Sequence, residues 1–365
     1  MSPREQIGLG QLSVLMVGFL LGSTLLLPMG APAKQAAWIA TLLGGAGGLG
    51  IAFIYTRLAL RFPGQGITGY SRLALGPWAG SLVGLLYIWY GFHLGALVLR
   101  NFGEFFLTAL LPATPLSVII LTLMLLCAFG VRHGLEPVAR SAHVLVPLVL
   151  MMAILAVILV AKEARLQHLQ PWLGDQPVSI LQAALTMMSF PFGETVIFAM
   201  VLPRVRPAKA VPGTVFRTML AVTVLLAVLA ALGTAVLGVH IRGTSRFATL
   251  AMVRQITLAD FVTNLDALLI GAWVFTGYCK VSVCLHFCAT GLAEWLGLAA
   301  YRQLILPIGI LMVGLSILAY PDVSKMTSFL SVWAVYSVPY QILFPLLLLG
   351  AAHLRGQPAA QGKAE

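Results

Sequence analysis

Acidic side chains are scarce in this chain. It has 11 Asp and Glu in 365 residues, and charged residues of either sign make up only 9%. A soluble domain carries about a quarter of its residues as charges, so this chain cannot clothe a soluble surface. With 60% hydrophobic residues and a mean hydropathy of +0.97, it reads as a polytopic membrane protein. The few carboxylates are scattered. HExxH, GxSxG and a phosphate-binding loop are all missing, so no enzyme and no cofactor is expected. Cysteine is sparse too. Cys127, Cys279, Cys284 and Cys288 all lie in apolar segments, which argues for packing thiols and against disulfides. Cys284 and Cys288 are one helical turn apart with His286 on another face, too few converging ligands for a metal. The net charge of +11 does not point to nucleic acid, because the basic residues sit between apolar runs and not in a patch.

Those apolar runs divide into ten spans, approximately 7–31, 36–60, 77–111, 115–132, 136–161, 179–203, 211–239, 263–296, 302–320 and 326–352. The first resembles a signal peptide, with Arg4 before it and Ala31-Pro32-Ala33 mimicking a cleavage site. It exceeds the usual apolar length of about 7–15 residues, however, and is taken as a retained span. The third and eighth, about 35 residues each, must tilt or project from the bilayer. Residues 1–355 read as a single integral membrane domain. The small, polar tail 356–365 is expected to be a disordered cytoplasmic extension. The connections at one end of the spans and the termini carry 13 Lys and Arg, from Arg4, Arg57 and Arg61 through Arg204 and Arg206 to Arg355 and Lys363; the opposite end carries 7. The positive-inside rule therefore puts both termini in the cytoplasm. On the opposite side, Phe247, Leu250, Val253 and Ile256 fall at helical spacing and predict a short external helix. Trp172, in the connection after the fifth span, is placed to anchor at the interface.

The sixth span holds the segment around which the rest is organised, Met188-Ser-Phe-Pro-Phe-Gly-Glu-Thr195. Pro191 has no amide hydrogen and drives Phe190 out of the helical region. Gly193 tolerates backbone angles that other residues resist. The helix should break here, near mid-membrane, beside the ionisable Glu194. Irregular backbone at that depth needs a covering of protein or a polar cavity, and a carboxylate there marks a functional site by default.

A five-plus-five division supplies a partner for this break. An offset of 171 positions lays Gly22-Ser23-Thr24 of the first span, upstream of Pro28, onto Gly193-Glu194-Thr195. It also pairs the long third and eighth spans. Five being odd, the halves (about 7–161 and 179–352) run in opposite senses, the inverted-repeat plan in which paired interrupted spans mark the binding site. The competing reading is that Gly22, Ser23 and Thr24 only let helices pack closely.

At each break one half-helix presents free amides, which suit a carboxylate, and the other free carbonyls, which suit an ammonium or sodium. Together they describe a site for a zwitterion such as a free amino acid. Ser23, Thr24, Ser189 and Thr195 would add hydroxyls, and Phe190 and Phe192 would wall it. Glu194 either binds the ligand's ammonium or a proton, or simply stabilises the half-helix start. In the third span Arg100 and Glu104 share a face, as a structural pair or as a gate. His93 lies on the same face, as a hydrogen-bonded core histidine or a proton relay. Lys280, deep in the eighth span, either takes the place of a coupling cation or pairs with Glu194 or Glu104. Tyr278 and His286 are expected beside it, lining the same cavity.

Three successive segments carry a family resemblance: Leu99-Arg-Asn-Phe-Gly-Glu-Phe105, Thr108-Ala-Leu-Leu-Pro-Ala-Thr-Pro115 and Val131-Arg-His-Gly-Leu-Glu-Pro-Val-Ala-Arg140. With Ser189-Phe-Pro-Phe-Gly-Glu194, Lys280-Val-Ser-Val283 and the opening Ile7 to Pro28, they resemble the spore germination protein B-subunit family over essentially the whole chain. That family is the endospore branch of the amino acid–polyamine–organocation permeases. Asn101 departs from it, standing where an acidic residue is more usual. The resemblance implies a ten-span, sodium/leucine-transporter-like fold with broken first and sixth helices. It also implies a role as the membrane subunit of a nutrient germinant receptor in the spore inner membrane, working with an A subunit and a C-subunit lipoprotein. The alternative is an amino-acid/proton symporter.

Overall fold

A computed structural model describes residues 5–25, 27, 30–173, 177–245, 247–253, 265–320 and 323–355. Pro28, Arg4, Ile256 and the tail 356–365 lie outside the described residues. Helix is found at all ten expected positions. Among the described residues, eight segments are long and apolar enough to cross a membrane, and two, Leu9–Leu25 and Arg302–Leu318, are apolar but shorter.

The chain enters through a two-residue strand β1 (Ile7–Gly8) and helix α1 (Leu9–Leu21), then α2 (Ala37–Arg61), α3 (Ile67–Leu75), α4 (Pro77–Ala109), α5 (Leu116–His133) and α6 (Leu135–Val160). The second half opens with α7 (Pro177–Met187), a wide turn Met188–Phe192 and a tight helical stretch Gly193–Met200, followed by strand β2 (Val205–Arg206). Next come α8 (Val211–Thr244), the short α9 (Ala248–Val253), α10 (Leu265–Leu296), α11 (Ile305–Leu318), α12 (Val323–Val338), a wide turn Pro339–Leu343 and α13 (Phe344–Leu354).

Four expectations change. The first span is shorter than 7–31, because α1 stops at Leu21 and a single tight turn, Ser23–Leu25, follows Gly22. The connection between the second and third spans holds α3, whose short amphipathic sequence lies below span length. The seventh span runs on to Thr244 past a kink at Gly238, where φ is 73°. The tenth is split by the turn that begins at Pro339, which lacks the amide a continuous helix needs. The short helix expected after the seventh span is present as α9, carrying Leu250.

Contacts sort the connections onto two faces. On the first, β1 pairs with β2 in parallel (Ile7 with Val205), and Glu5 accepts hydrogen bonds from Leu135 N, Tyr301 and Arg302. Arg61 donates to the Ala352 carbonyl on the same face. On the second, Gln35 donates to the Pro171 carbonyl, Trp38 meets Trp172 edge-on, and the Arg165 amide donates to Ala235. Helix α1 thus starts on the first face, and the connection leading to α7 lies on the second. Burial separates centre from periphery. In the 18-residue apolar stretch within Pro177–Met200 and within Ile270–Leu296, 83% and 89% of residues are buried, against 28% within Leu135–Glu163. The two central ones therefore carry the interior chemistry, and α6 presents its apolar surface to lipid.

Candidate functional site

The break in the sixth span follows from its sequence. Phe190, ahead of Pro191, is extended at φ −137° and ψ 117°, as the clash with a proline ring requires. Helix resumes at Gly193, with Glu194 in its first turn. The first-span break lies at Gly22, which is also non-helical (φ −21°, ψ −112°).

The two breaks meet around one side chain. Lys280 reaches from α10 so that its Cδ passes where a side chain at residue 22 would begin: a Cβ built on Gly22 lies 2.8 Å from it. Its ammonium is 2.6 Å from Glu194 Oε2, over the ring faces of Phe19 (4.9 Å) and Phe190 (4.7 Å). Both residues are fully buried, and neither charged group has a further hydrogen-bond partner among the described residues. Ser23 Oγ, in the adjoining turn, is also buried without a partner. The site is sealed and net neutral, with spare hydrogen-bonding capacity on both charges and on a hydroxyl. A small molecule carrying both signs can replace each half of this pair with one of its own charges, so the two sites remain compensated.

Sequence reasoning missed the residue that holds the break together. Gln341, in the turn Pro339–Leu343, donates through Nε2 to the Ser189 carbonyl at 2.8 Å and to the Tyr90 hydroxyl at 2.8 Å. The first bond satisfies a carbonyl that the break would otherwise leave bare in a dry interior. Its Oε1 packs so closely on Gly193 that no Cβ fits there. The signal was available as a lone amide between Pro339 and Pro345 in an apolar run.

Other candidates divide. Gly22, Phe190, Glu194 and Lys280 come together. Thr24 and Ser189 use their hydroxyls on backbone, bonding the Leu20 and Thr186 carbonyls. Phe192 turns onto Gly48 of α2 instead of walling the site. Tyr278 is not beside Lys280's ammonium. Two residues away on a helix, it points elsewhere, and its hydroxyl packs on Gly130 of α5. His286 also leaves the site, accepting at Nε2 from Arg204 at 2.7 Å. Arg100 and Glu104 pair with each other at 2.8 Å. His93 is held between the Tyr336 and Tyr320 hydroxyls at 3.0 and 2.8 Å, within an aromatic cluster. All four cysteines are free and buried, and no group of three or more potential metal ligands occurs among the described residues.

Below the site toward the first face lies a polar cavity of about 290 Å³, lined by Glu5, Arg204, Thr290, Glu294 and Tyr301 among others. Glu294 accepts a short hydrogen bond from Thr68. Burial, with Glu5 beside it, pushes the Tyr301 phenol up to about 12. It therefore remains a donor to Glu5 throughout the neutral range.

Residues 6–323 match the family model described as "Spore germination protein". The chain belongs to the spore germination protein family. It is 30% identical to spore germination protein KB of Bacillus subtilis (strain 168), over 99% of this chain and 98% of that protein. Spore germination protein A2 of the same organism is 24% identical, over 85% of this chain and 84% of its own. Among solved structures, this member of the family resembles MhsT in complex with L-phenylalanine (TM-score 0.70, 13% identity, 93% of this chain and 87% of that one). It also resembles the nucleobase-cation-symport-1 family transporter Mhp1 in a closed conformation with bromovinylhydantoin bound (TM-score 0.69, 14% identity, 96% and 79%). A germination family on a transporter fold makes this an integral, permease-like membrane protein. The sodium/leucine-transporter-like fold expected from the sequence is present.

Proposed function

We propose that this chain is the membrane subunit of a spore nutrient germinant receptor, and that it binds a small nutrient, an amino acid, between the two helix breaks. The observation that carries this reading is the sealed Lys280–Glu194 pair, whose opposite charges sit where both breaks converge. Gly22, Ser23, Phe190, Gly193, Glu194 and Lys280 form the proposed site, with Thr24 and Ser189 shaping its backbone. Binding of an ammonium to Glu194 and a carboxylate to Lys280 would open the pair and shift the balance between two conformations, through different affinities for them. The two inverted repeats, about 7–161 and 179–352, are proposed as the halves that each supply one break to the site. The chain would act in the spore inner membrane with both termini cytoplasmic, alongside A and C subunits, as a sensor and not a catalyst.

Deletion of the gene followed by a germination assay on an amino-acid panel tests this. Loss of response to one nutrient, with germination by a non-nutrient route intact, is the expected result and names the ligand. Unchanged germination with lost uptake of an amino acid by growing cells would replace the reading by the second one, an amino-acid/proton symporter. That alternative is favoured by the likeness to transporters and by a titratable pair at the crossing of the breaks.

A further inference from the structure

The polar cavity on the first face holds a second set of opposite charges in one enclosure. Its floor is buried, at Thr290 and Met200, and its rim is exposed, at Gly64, Arg206 and Ala299. It therefore opens to the first face. Thr290 is ten residues beyond Lys280 on α10, about 15 Å along the helix, so the cavity is distinct from the helix breaks.

Two of its charges are already answered. Glu5 is taken up by Arg302, the Tyr301 hydroxyl and the Leu135 amide. Arg206 stands in solvent and donates to the Pro203 and Val205 carbonyls. The other two, Glu294 and Arg204, are partly buried. Glu294 accepts at Oε2 from the Thr68 hydroxyl, and its carboxylate is seated on Gly66 and Gly69, where any Cβ would strike it. Its Oε1 has no hydrogen bond and no cationic partner among the described residues. Arg204 spends Nη1 on the Met200 carbonyl and on His286 Nε2, and its guanidinium lies over the Tyr301 ring at 5.9 Å. Its Nε and Nη2 make no hydrogen bond, and it has no acidic partner, among the described residues.

Glu294 and Arg204 thus line one cavity without pairing with each other. A partly buried charge without a counter-charge is costly. A lone anion or a lone cation would answer only one of the two; a molecule bearing both signs answers both. Size narrows the choice further. Cavities for drug-sized ligands run from about 300 Å³ upward, so about 290 Å³ admits a free amino acid with its side chain.

We propose that the first-face cavity is a second binding site for a free amino acid, its ammonium meeting Glu294 and its carboxylate meeting Arg204. Recognition falls on the two charges that all free amino acids share, so the side chain is not selected. The site does not depend on the nutrient reading. A zwitterion leaving the Lys280–Glu194 pair toward the first face would meet the same two signs again before reaching solvent.

Thiol protection in the full chain, purified in detergent, tests this. Ala299→Cys places a reactive thiol in the cavity lining, while the four native cysteines are buried. Leucine at about 10 mM should slow reaction of that thiol with a methanethiosulfonate reagent about tenfold, the factor 1 + L/Kd for a leucine concentration L and a site of about 1 mM affinity. Alanine should protect as well. Leucine amide keeps only the ammonium and 4-methylpentanoate only the carboxylate; neither should protect, singly or together. Glu294→Gln, which can still accept from Thr68, should abolish protection. Arg204→Gln should do the same, and serves if the first variant misfolds. Protection should survive in Lys280→Met with Glu194→Gln, which has lost the charges at the breaks. Equal rates with and without leucine and alanine would overturn the proposal. So would protection by the one-charge analogues, or protection lost in the double variant, which would trace it to the breaks.

Discussion

Two buried ion pairs stand out among the described residues, and they differ in what they can report. Arg100 and Glu104 are four residues apart on α4 and 2.8 Å apart in space. The helix holds them together whatever its neighbours do; Arg100 leans further on the Ser316 carbonyl of α11. Glu194 and Lys280 are as deeply buried, but one follows a helix break and the other belongs to α10. Their contact exists only while those elements and the Gly22 turn keep their places. Burial makes both pairs costly to break, but only the second senses relative motion.

The largest expected effect separates a pair from two independent residues. Lys280→Met leaves Glu194 buried and uncompensated and should cost about 3–5 kcal/mol, seen as a fall in melting temperature in detergent. Lys280→Met with Glu194→Gln should recover most of it. If single and double variants melt alike, the charges do not depend on one another. Arg100→Leu should destabilise comparably, yet leave the nutrient response of the surviving folded protein unchanged. A response lost beyond the loss of folded protein would make α4 part of the switch. Smaller in effect, Gln341→Leu removes two hydrogen bonds and bares the Ser189 carbonyl, a loss of about 1–3 kcal/mol. Faster hydrogen exchange at residues 188–193 alone would confirm that the amide clamps the break, and exchange unchanged there would refute it. Smallest is Glu5→Gln, at about 0.2–1 kcal/mol for its ion pair with the half-exposed Arg302. It should leave the melting temperature nearly unchanged but speed reaction of a thiol reagent with a cysteine introduced as Ala299→Cys in the lining of the first-face cavity.

Local chemistry was legible in the sequence. Pro191 and Gly193 announce the broken helix, the four-residue spacing announces Arg100–Glu104, and the basic connections group onto one face as the contacts later group them. What the sequence left open was direction. Helical phase about one axis cannot say which neighbour a face meets, so Tyr278 and His286, near Lys280 in sequence, were expected in its cavity and instead serve α5 and Arg204. Glu194 with Lys280 was one of two pairings open to the lysine, because two elements far apart in the chain had to be docked first. Gln341 was overlooked because a lone amide in an apolar run says that it is paired but not with what, and its partners, the Ser189 carbonyl and the Tyr90 hydroxyl, lie far off in the chain.

The parallel bridge of Ile7 and Gly8 with Val205 and Arg206 has a mechanical consequence. It rivets the free end of α1 to the chain just beyond the second break, so the half-helices on the first-face side form one lever pivoting near Gly22 and Gly193. Its arm, the 13 residues of α1, is about 20 Å long. A swing of about 10° at the fulcrum carries Glu5 by about 3.5 Å over that arm, farther than a hydrogen bond can stretch. The three bonds at Glu5 would then let go together, turning a slight shift beside Lys280 into an all-or-none release at the membrane face.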